Sequence, residues 1–197
     1  MKKIALSLLL VAGMHGAAQA QRNVSLGLKA GPSYASFVGK DAGEREGLFG
    51  FHAGIFANIG LSNMVAFQPE LLYSQKGAKI ANVTDFRTRF SYLDVPLAFH
   101  INADGLFFEA GPQVGFLLSA KSEAGNTSVD VKEATNAVDF GYLVGLGYQR
   151  KTGPGIGLRY NGGLTNLPKE VTAGNTTVQS RIRNSVFQLY LTYSFGG

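Results

Sequence analysis

The sequence predicts an all-β fold, an eight-stranded antiparallel up-and-down transmembrane β-barrel, and three observations carry that expectation. Segment after segment alternates apolar and polar or glycine residues with the period of 2 that an extended strand imposes. The connections between these segments alternate long and short all the way along the chain. The chain also begins with the pattern of an export signal and nowhere holds the roughly 18 or more consecutive apolar residues of a membrane-spanning helix, so an exported chain that enters a bilayer must do so as strands.

Residues 1–20 read as a secretory signal peptide. Lys2 and Lys3 precede the apolar run Ile4 to Met14, and Ala18-Gln19-Ala20 is a small-residue cleavage site. The mature chain, residues 21–197, forms the barrel domain. Its first strand sets Val24, Leu26, Leu28 and Ala30 against Ser25, Gly27, Lys29 and Gly31, and the hydrophilic stretch 33–47 follows. The second sets Phe49, Phe51, Ala53, Ile55, Ala57 and Ile59 against His52, Gly54, Phe56 and Asn58, and closes on the short turn Ser62-Asn63-Met64. In the third, Phe67, Pro69, Leu71 and Tyr73 oppose Gln68, Glu70, Leu72 and Ser74, with a loop from about Gly77 to Phe86. The fourth carries Leu93, Val95, Leu97, Phe99 and Ile101 against Tyr92, Asp94, Pro96, Ala98 and His100, up to Asn102-Ala103-Asp104-Gly105.

The second half repeats the design. Phe108, Ala110, Pro112, Val114, Phe116 and Leu118 alternate with Glu109, Gly111, Gln113 and Gly115 before the polar stretch 120–137. Phe140, Tyr142, Val144, Leu146 and Tyr148 alternate with Asp139 and glycines up to a turn at Lys151-Thr152-Gly153-Pro154. Ile156, Leu158 and Tyr160 alternate with Gly157, Arg159 and Asn161, and a loop over 166–180 leads into the last strand. There, Phe187, Leu189, Leu191, Tyr193 and Phe195 fall on one face and Gln188, Tyr190, Thr192 and Ser194 on the other. The aromatic face is expected to meet lipid. Long loops after the odd strands and tight turns after the even ones place both termini at the periplasmic side of an outer membrane.

Composition narrows the function. The 197 residues include 26 Gly, no Trp and no Cys, so disulfides and thiolate metal sites are excluded. Setting aside Lys2 and Lys3, 16 basic residues face 13 acidic ones in the mature chain, too small an excess to argue for nucleic acid. Eight strands enclose a lumen that side chains fill, so an open pore is not expected. By register, Lys29, Glu70, Asp94 and Arg159 point inward at about mid-height, with Glu109 and His100 nearer the periplasmic end. Two bases and two acids at one level satisfy each other as a structural polar network, because unpaired charge in a narrow lumen is costly.

No nucleophile elbow, zinc-protease helix motif or phosphate loop occurs, and no catalytic residue, metal ligand or cofactor is assigned. A lipid-modifying enzyme would need His52 set against a hydroxyl and a carboxylate at the outer rim, near Ser33 and Ser36. A soluble periplasmic barrel with an apolar ligand would instead turn Phe187, Leu189, Leu191 and Tyr193 inward. Recognition is expected in the loops 33–47, 120–137 and 166–180, with Gly125-Asn126 and Gly174-Asn175 as hairpin tips.

Several stretches, taken in order, resemble the PorT-like outer-membrane β-barrel family: Gly27-Leu28-Lys29-Ala30-Gly31-Pro32, Gln68-Pro69-Glu70-Leu71-Leu72-Tyr73-Ser74-Gln75-Lys76-Gly77, Tyr92-Leu93-Asp94-Val95-Pro96-Leu97, Glu109-Ala110-Gly111-Pro112-Gln113-Val114-Gly115 and Gly155-Ile156-Gly157-Leu158-Arg159-Tyr160. The resemblance implies an eight-stranded barrel in the outer membrane of a Gram-negative bacterium. Its naming member is associated with secretion of surface proteins. The expected partners are outer-membrane lipid, the barrel-assembly machinery through the C-terminal strand, and an envelope or surface protein through the loops, with the chain itself a monomer.

Overall fold

The computed structural model describes residues 24–80, 86–125, 127–150, 152–173, 176–178 and 180–195. The expected signal segment, residues 1–20, lies outside them. Eleven strands occur among the described residues: β1 (Val24–Val38), β2 (Arg45–Gly60), β3 (Val65–Ile80), β4 (Phe86–Ala103), β5 (Leu106–Ala124), β6 (Thr127–Asp130), β7 (Val138–Gln149), β8 (Gly153–Gly163), β9 (Val171–Ala173), β10 (Thr176–Val178) and β11 (Arg183–Phe195).

Eight of them form the ring β4-β3-β2-β1-β11-β8-β7-β5, which the β4–β5 pairing closes. Every pairing is antiparallel, and β1 meets β11 in a register that puts Leu28 opposite Tyr193 and Tyr34 opposite Phe187. The chain thus forms a closed up-and-down barrel. Strand β6 adds a short flap to the upper end of β5, and β9 and β10 make a separate hairpin.

The periplasmic turns have local causes. Asp104 and Gly105 adopt φ of 49° and 91°, the doubly positive turn that matches the twist of a two-residue hairpin, which is why Asp-Gly stands there. After β2, the Ser62 hydroxyl accepts from the backbone N–H of Met64 and Val65 at 3.3 and 3.1 Å.

At the outer end the strands run further than the polarity of the sequence indicates. The hydrophilic stretch 33–47 is mostly strand, and only residues 39–44 connect β1 to β2. Likewise β3 continues to Ile80, β4 starts at Phe86 and β5 reaches Ala124, where Gly125 (φ 54°) turns the chain into β6. Backbone pairing is indifferent to side-chain polarity. The loss of apolar alternation marks where the outer face ceases to be apolar, while hydrogen bonding carries the sheet on: Glu46 still pairs with Lys79, and Arg87 with Glu123. Above the membrane the Arg87 guanidinium donates to the Glu123 carboxylate and holds its carboxyl below the usual range.

The outer face is apolar and aromatic. Tyr34–Phe49, Phe51–Tyr73, Tyr142–Tyr160 and Tyr160–Phe187 rings lie 5.0–6.2 Å apart in an upper belt, with Tyr193–Phe195 at 5.4 Å near the lower rim. Two hydroxyls of the upper belt are satisfied in place: Tyr73 Oη lies 2.9 Å from Ser91 Oγ, and Tyr160 Oη 3.2 Å from Ser185 Oγ. From Phe187 to Phe195 the last strand climbs about 27 Å along its own direction, or about 21 Å along the barrel axis at a tilt of about 40°, close to the apolar band of ~25 Å that an outer-membrane barrel presents.

Inside, the upper end is plugged. Phe37, Ala42, Ala78, Phe90, Tyr92, Leu117, Ala120 and Leu167 form one buried apolar cluster, against which Val131 and Ile182 pack. Ala42 and Leu167 come from the outer loops, so these loops fold down onto the strand ends.

Candidate functional site

The lumen below the plug holds two ionic clusters. In the lower one, Arg159 of β8 forks between the Glu70 carboxylate from β3 across the lumen and the Glu109 carboxylate from β5, two strands away on its own side. Its Nη1 and Nη2 donate to Glu70 Oε2 and Oε1 at 2.9 and 2.8 Å, and its Nε and Nη2 donate to Glu109 Oε1 and Oε2 at 2.8 and 2.6 Å. Lys29 Nζ donates to Glu70 Oε1 at 2.6 Å and lies 4.1 Å from the centre of the Tyr190 ring. The Tyr190 hydroxyl donates to Glu109 Oε1 at 2.8 Å, and Gln68 Nε2 donates to Glu70 Oε1 at 2.9 Å. Two cations and two carboxylates, all at most 3% exposed, therefore balance. The bidentate geometry is what a guanidinium supplies and an ammonium cannot.

Glycines make the room. A Cβ on Gly157 would sit 2.3 Å from Tyr190 Cζ, and one on Gly145 would sit 2.6 Å from Glu109 Oε1. The small residues of β7 and β8 are thus the seats of the aromatic ring and the carboxylate opposite them.

The upper cluster joins Lys76 of β3 to Asp94 of β4 at 3.0 Å and to Asp139 of β7 at 3.6 Å. Asn184 Nδ2 donates to Asp139 Oδ2 at 2.8 Å, and the Lys76 ammonium lies 4.5 Å from the Tyr92 ring centre. Elsewhere in the lumen, His52, Ser74 and Asn161 are buried with side-chain polar atoms that have no partner among the described residues. Such groups are where internal water binds. Below the lower cluster the barrel opens into a periplasmic vestibule of about 350 Å³, lined by polar residues such as Asn58, Asn102, Gln149 and Thr192.

The structure brings four of the residues chosen from the sequence together, Lys29, Glu70, Glu109 and Arg159, and sets Asp94 apart with Lys76. Tilt and stagger of the strands separate residues that simple counting puts at one level. Asp94 is the register partner of Leu72, yet its charge partner is Lys76, four residues further along β3. Lys76, Asp139 and Tyr190 are the members that sequence reasoning passed over. The period-2 count does place Lys76 on the inward face, since it shares parity with Gln68, Glu70 and Ser74. His100 stacks on Phe107 at 4.6 Å and brings Nε2 to 3.2 Å from Glu109 Oε2 without completing a hydrogen bond.

His52 is 1% exposed, and neither ring nitrogen has a hydrogen-bond partner among the described residues. It packs edge-on against the Tyr190 ring at 6.4 Å, and Ser33 Oγ donates to the Gln75 carbonyl instead. The hydroxyl and carboxylate that a rim hydrolase requires are not set against it. On the last strand, Phe187, Leu189, Leu191, Tyr193 and Phe195 are 53, 49, 64, 52 and 52% exposed and point away from the lumen.

Comparison with known proteins fits this architecture. Neisserial surface protein A (NspA) superposes with a TM-score of 0.56 at 15% identity, over 87% of this chain and 99% of that one. Ail, the attachment invasion locus protein of Yersinia pestis, crystallised with the heparin analogue sucrose octasulfate, gives 0.52 at 13% identity over 88% and 99%. At such identities the likeness speaks for the fold. The comparison with curated proteins gave no match. The family model described as outer membrane protein beta-barrel domain matches residues 17–168. That match covers most of a chain already seen to close an eight-stranded barrel with an exposed apolar and aromatic outer face, and the protein belongs to the outer-membrane β-barrel domain family.

Proposed function

We propose that this outer-membrane protein is a sealed anchor: it passes no solute and uses its outer loops to engage a protein partner of the envelope. The observation that carries the reading is the double closure of the lumen. The apolar cluster of Phe37, Phe90, Tyr92, Leu117 and Leu167 sits above charged groups that neutralise one another rather than line a water path. A protein built to conduct leaves its mid-lumen free of such crossing bonds. On this reading Phe187, Leu189, Leu191, Tyr193 and Phe195 contact lipid, the C-terminal strand is what the barrel-assembly machinery receives, and the chain works as a monomer after removal of residues 1–20. The resemblance to PorT-like barrels supports the more specific reading that the partner belongs to secretion of surface proteins.

Two measurements test the proposal. Refolded protein in planar bilayers is expected to give no conductance steps at salt concentrations where porins do. Discrete, protein-dependent steps would overturn the sealed reading. Cells lacking the protein are expected to lose a subset of surface proteins that reappears on complementation with the full chain but not with a chain shortened in residues 120–137. An unchanged surface proteome would remove the secretion role.

A further inference from the structure

On one side of the barrel the outer ends of β1, β11, β8 and β7 leave a groove of about 380 Å³. Its floor is Val38, Tyr142, Tyr160, Gly162 and Leu164, and over it stand Lys40, Arg181 and Arg183. The Tyr142 ring lies directly on the backbone of β8, since a Cβ on Gly162 would sit 2.5 Å from Tyr142 Cζ. Tyr142 and Tyr160 belong to the upper aromatic belt, so the groove straddles the membrane boundary on the lipid side of the wall, apolar below and cationic above.

Among the described residues the three cations have no carboxylate partner. No Asp or Glu lines the groove, and none of the three takes part in an ion pair among the described residues. Asp41, beside Lys40, accepts from the backbone N–H of Arg181 at 2.8 Å, which ties the β1–β2 loop to the chain entering β11. Arg183 Nε donates to Asn166 Oδ1 at 3.3 Å, a neutral partner that aims the guanidinium without discharging it. Arg87, at the outer ends of β4 and β5, is by contrast paired with Glu123.

We propose that this groove binds the phosphorylated headgroup of an outer-leaflet lipid, with its phosphates on Lys40, Arg181 and Arg183 and its less polar part on Tyr142 and Tyr160. Clustered cations at a membrane surface select anionic headgroups, and guanidinium groups bind phosphate in a bidentate fashion. A soluble anion would have no use for an aromatic floor at the level of the lipid.

The test uses the mature chain refolded in phosphatidylcholine nanodiscs, with bisphosphorylated lipid A as probe and retained lipid read by native mass spectrometry. Replacing Lys40, Arg181 and Arg183 by Gln is expected to weaken retention about fivefold per cation, on the order of a hundredfold together. Removing the phosphates from the probe should have a similar effect, and the exchange Lys40→Arg, Arg181→Lys, Arg183→Lys should keep most of the binding. Lys79→Gln with Lys121→Gln, on the other side, should change nothing. Heat-modifiable migration confirms that each variant is folded. If the triple variant does not fold, the three single variants are read at about fivefold each. Equal retention by wild type and folded variants, or equal binding of the dephosphorylated lipid, overturns the proposal. Displacement of the lipid by millimolar inorganic pyrophosphate would assign the cations to a soluble anion and overturn it as well.

Discussion

Replacing Arg159 with Met keeps an unbranched stem of about the length of the Arg aliphatic portion and removes the guanidinium that holds the lower cluster together. Wild-type balance is two cations against two carboxylates, with Arg159 supplying four of the hydrogen bonds. In Arg159→Met, Glu70 keeps Lys29 at 2.6 Å and Gln68 at 2.9 Å, so it loses its second cation but not its first. Glu109 keeps only the Tyr190 hydroxyl at 2.8 Å and the His100 ring at 3.2 Å. One buried carboxylate is thus left without a fixed cation, and breaking a buried pair by removing one partner costs about 3–5 kcal/mol. The double variant Arg159→Met/Glu109→Gln restores one cation to one carboxylate and should regain at least half of that loss. The assay is urea unfolding in phosphatidylcholine vesicles, with the folded fraction read as the fast-migrating band on an unheated gel. The reasoning fails if Glu109→Gln deepens the defect of Arg159→Met instead of relieving it, because the two changes would then be independent losses.

Three further outcomes follow from the same geometry. Leu189→Lys, on the outer face at mid-strand, should cost about 2–4 kcal/mol in the same vesicles, whereas Ser128→Lys, exposed on β6 above the membrane, should cost almost nothing; equal tolerance would mean that the assigned outer face does not meet lipid. Gly157→Leu should displace the Tyr190 ring, whose Cζ already stands 2.3 Å from the position of a Cβ there, and should lower stability by at least the ~1–3 kcal/mol of an overpacked core, read as an earlier urea midpoint. Thinning the outer plug with Phe90→Ala and Leu167→Ala together should leave the lower cluster intact and conductance still absent. Ion flow through that variant would mean that the plug alone seals the lumen.

The sequence by itself determined the architecture, because the signals for it are local. Period-2 alternation assigns each strand two faces, and Asp104-Gly105 and the Ser62 turn close the periplasmic hairpins through their own backbone and hydroxyl chemistry. The inward parity of Lys29, Glu70, Glu109 and Arg159 is legible in the same way. What only the tertiary structure decided is how far the strands run and which charges meet. Strand ends are set by backbone pairing with a neighbour, so the polar stretch 33–47 could look like a loop and still carry the ends of β1 and β2. Charge partners across the lumen depend on the tilt and stagger with which the ring closes. Strand-by-strand counting could not give Glu70 and Glu109 to Arg159 while sending Asp94 to Lys76. The outer groove belongs to the same class: Lys40, Tyr142, Tyr160, Arg181 and Arg183 are far apart in the chain and become neighbours because β11 lies between β1 and β8 when the barrel closes.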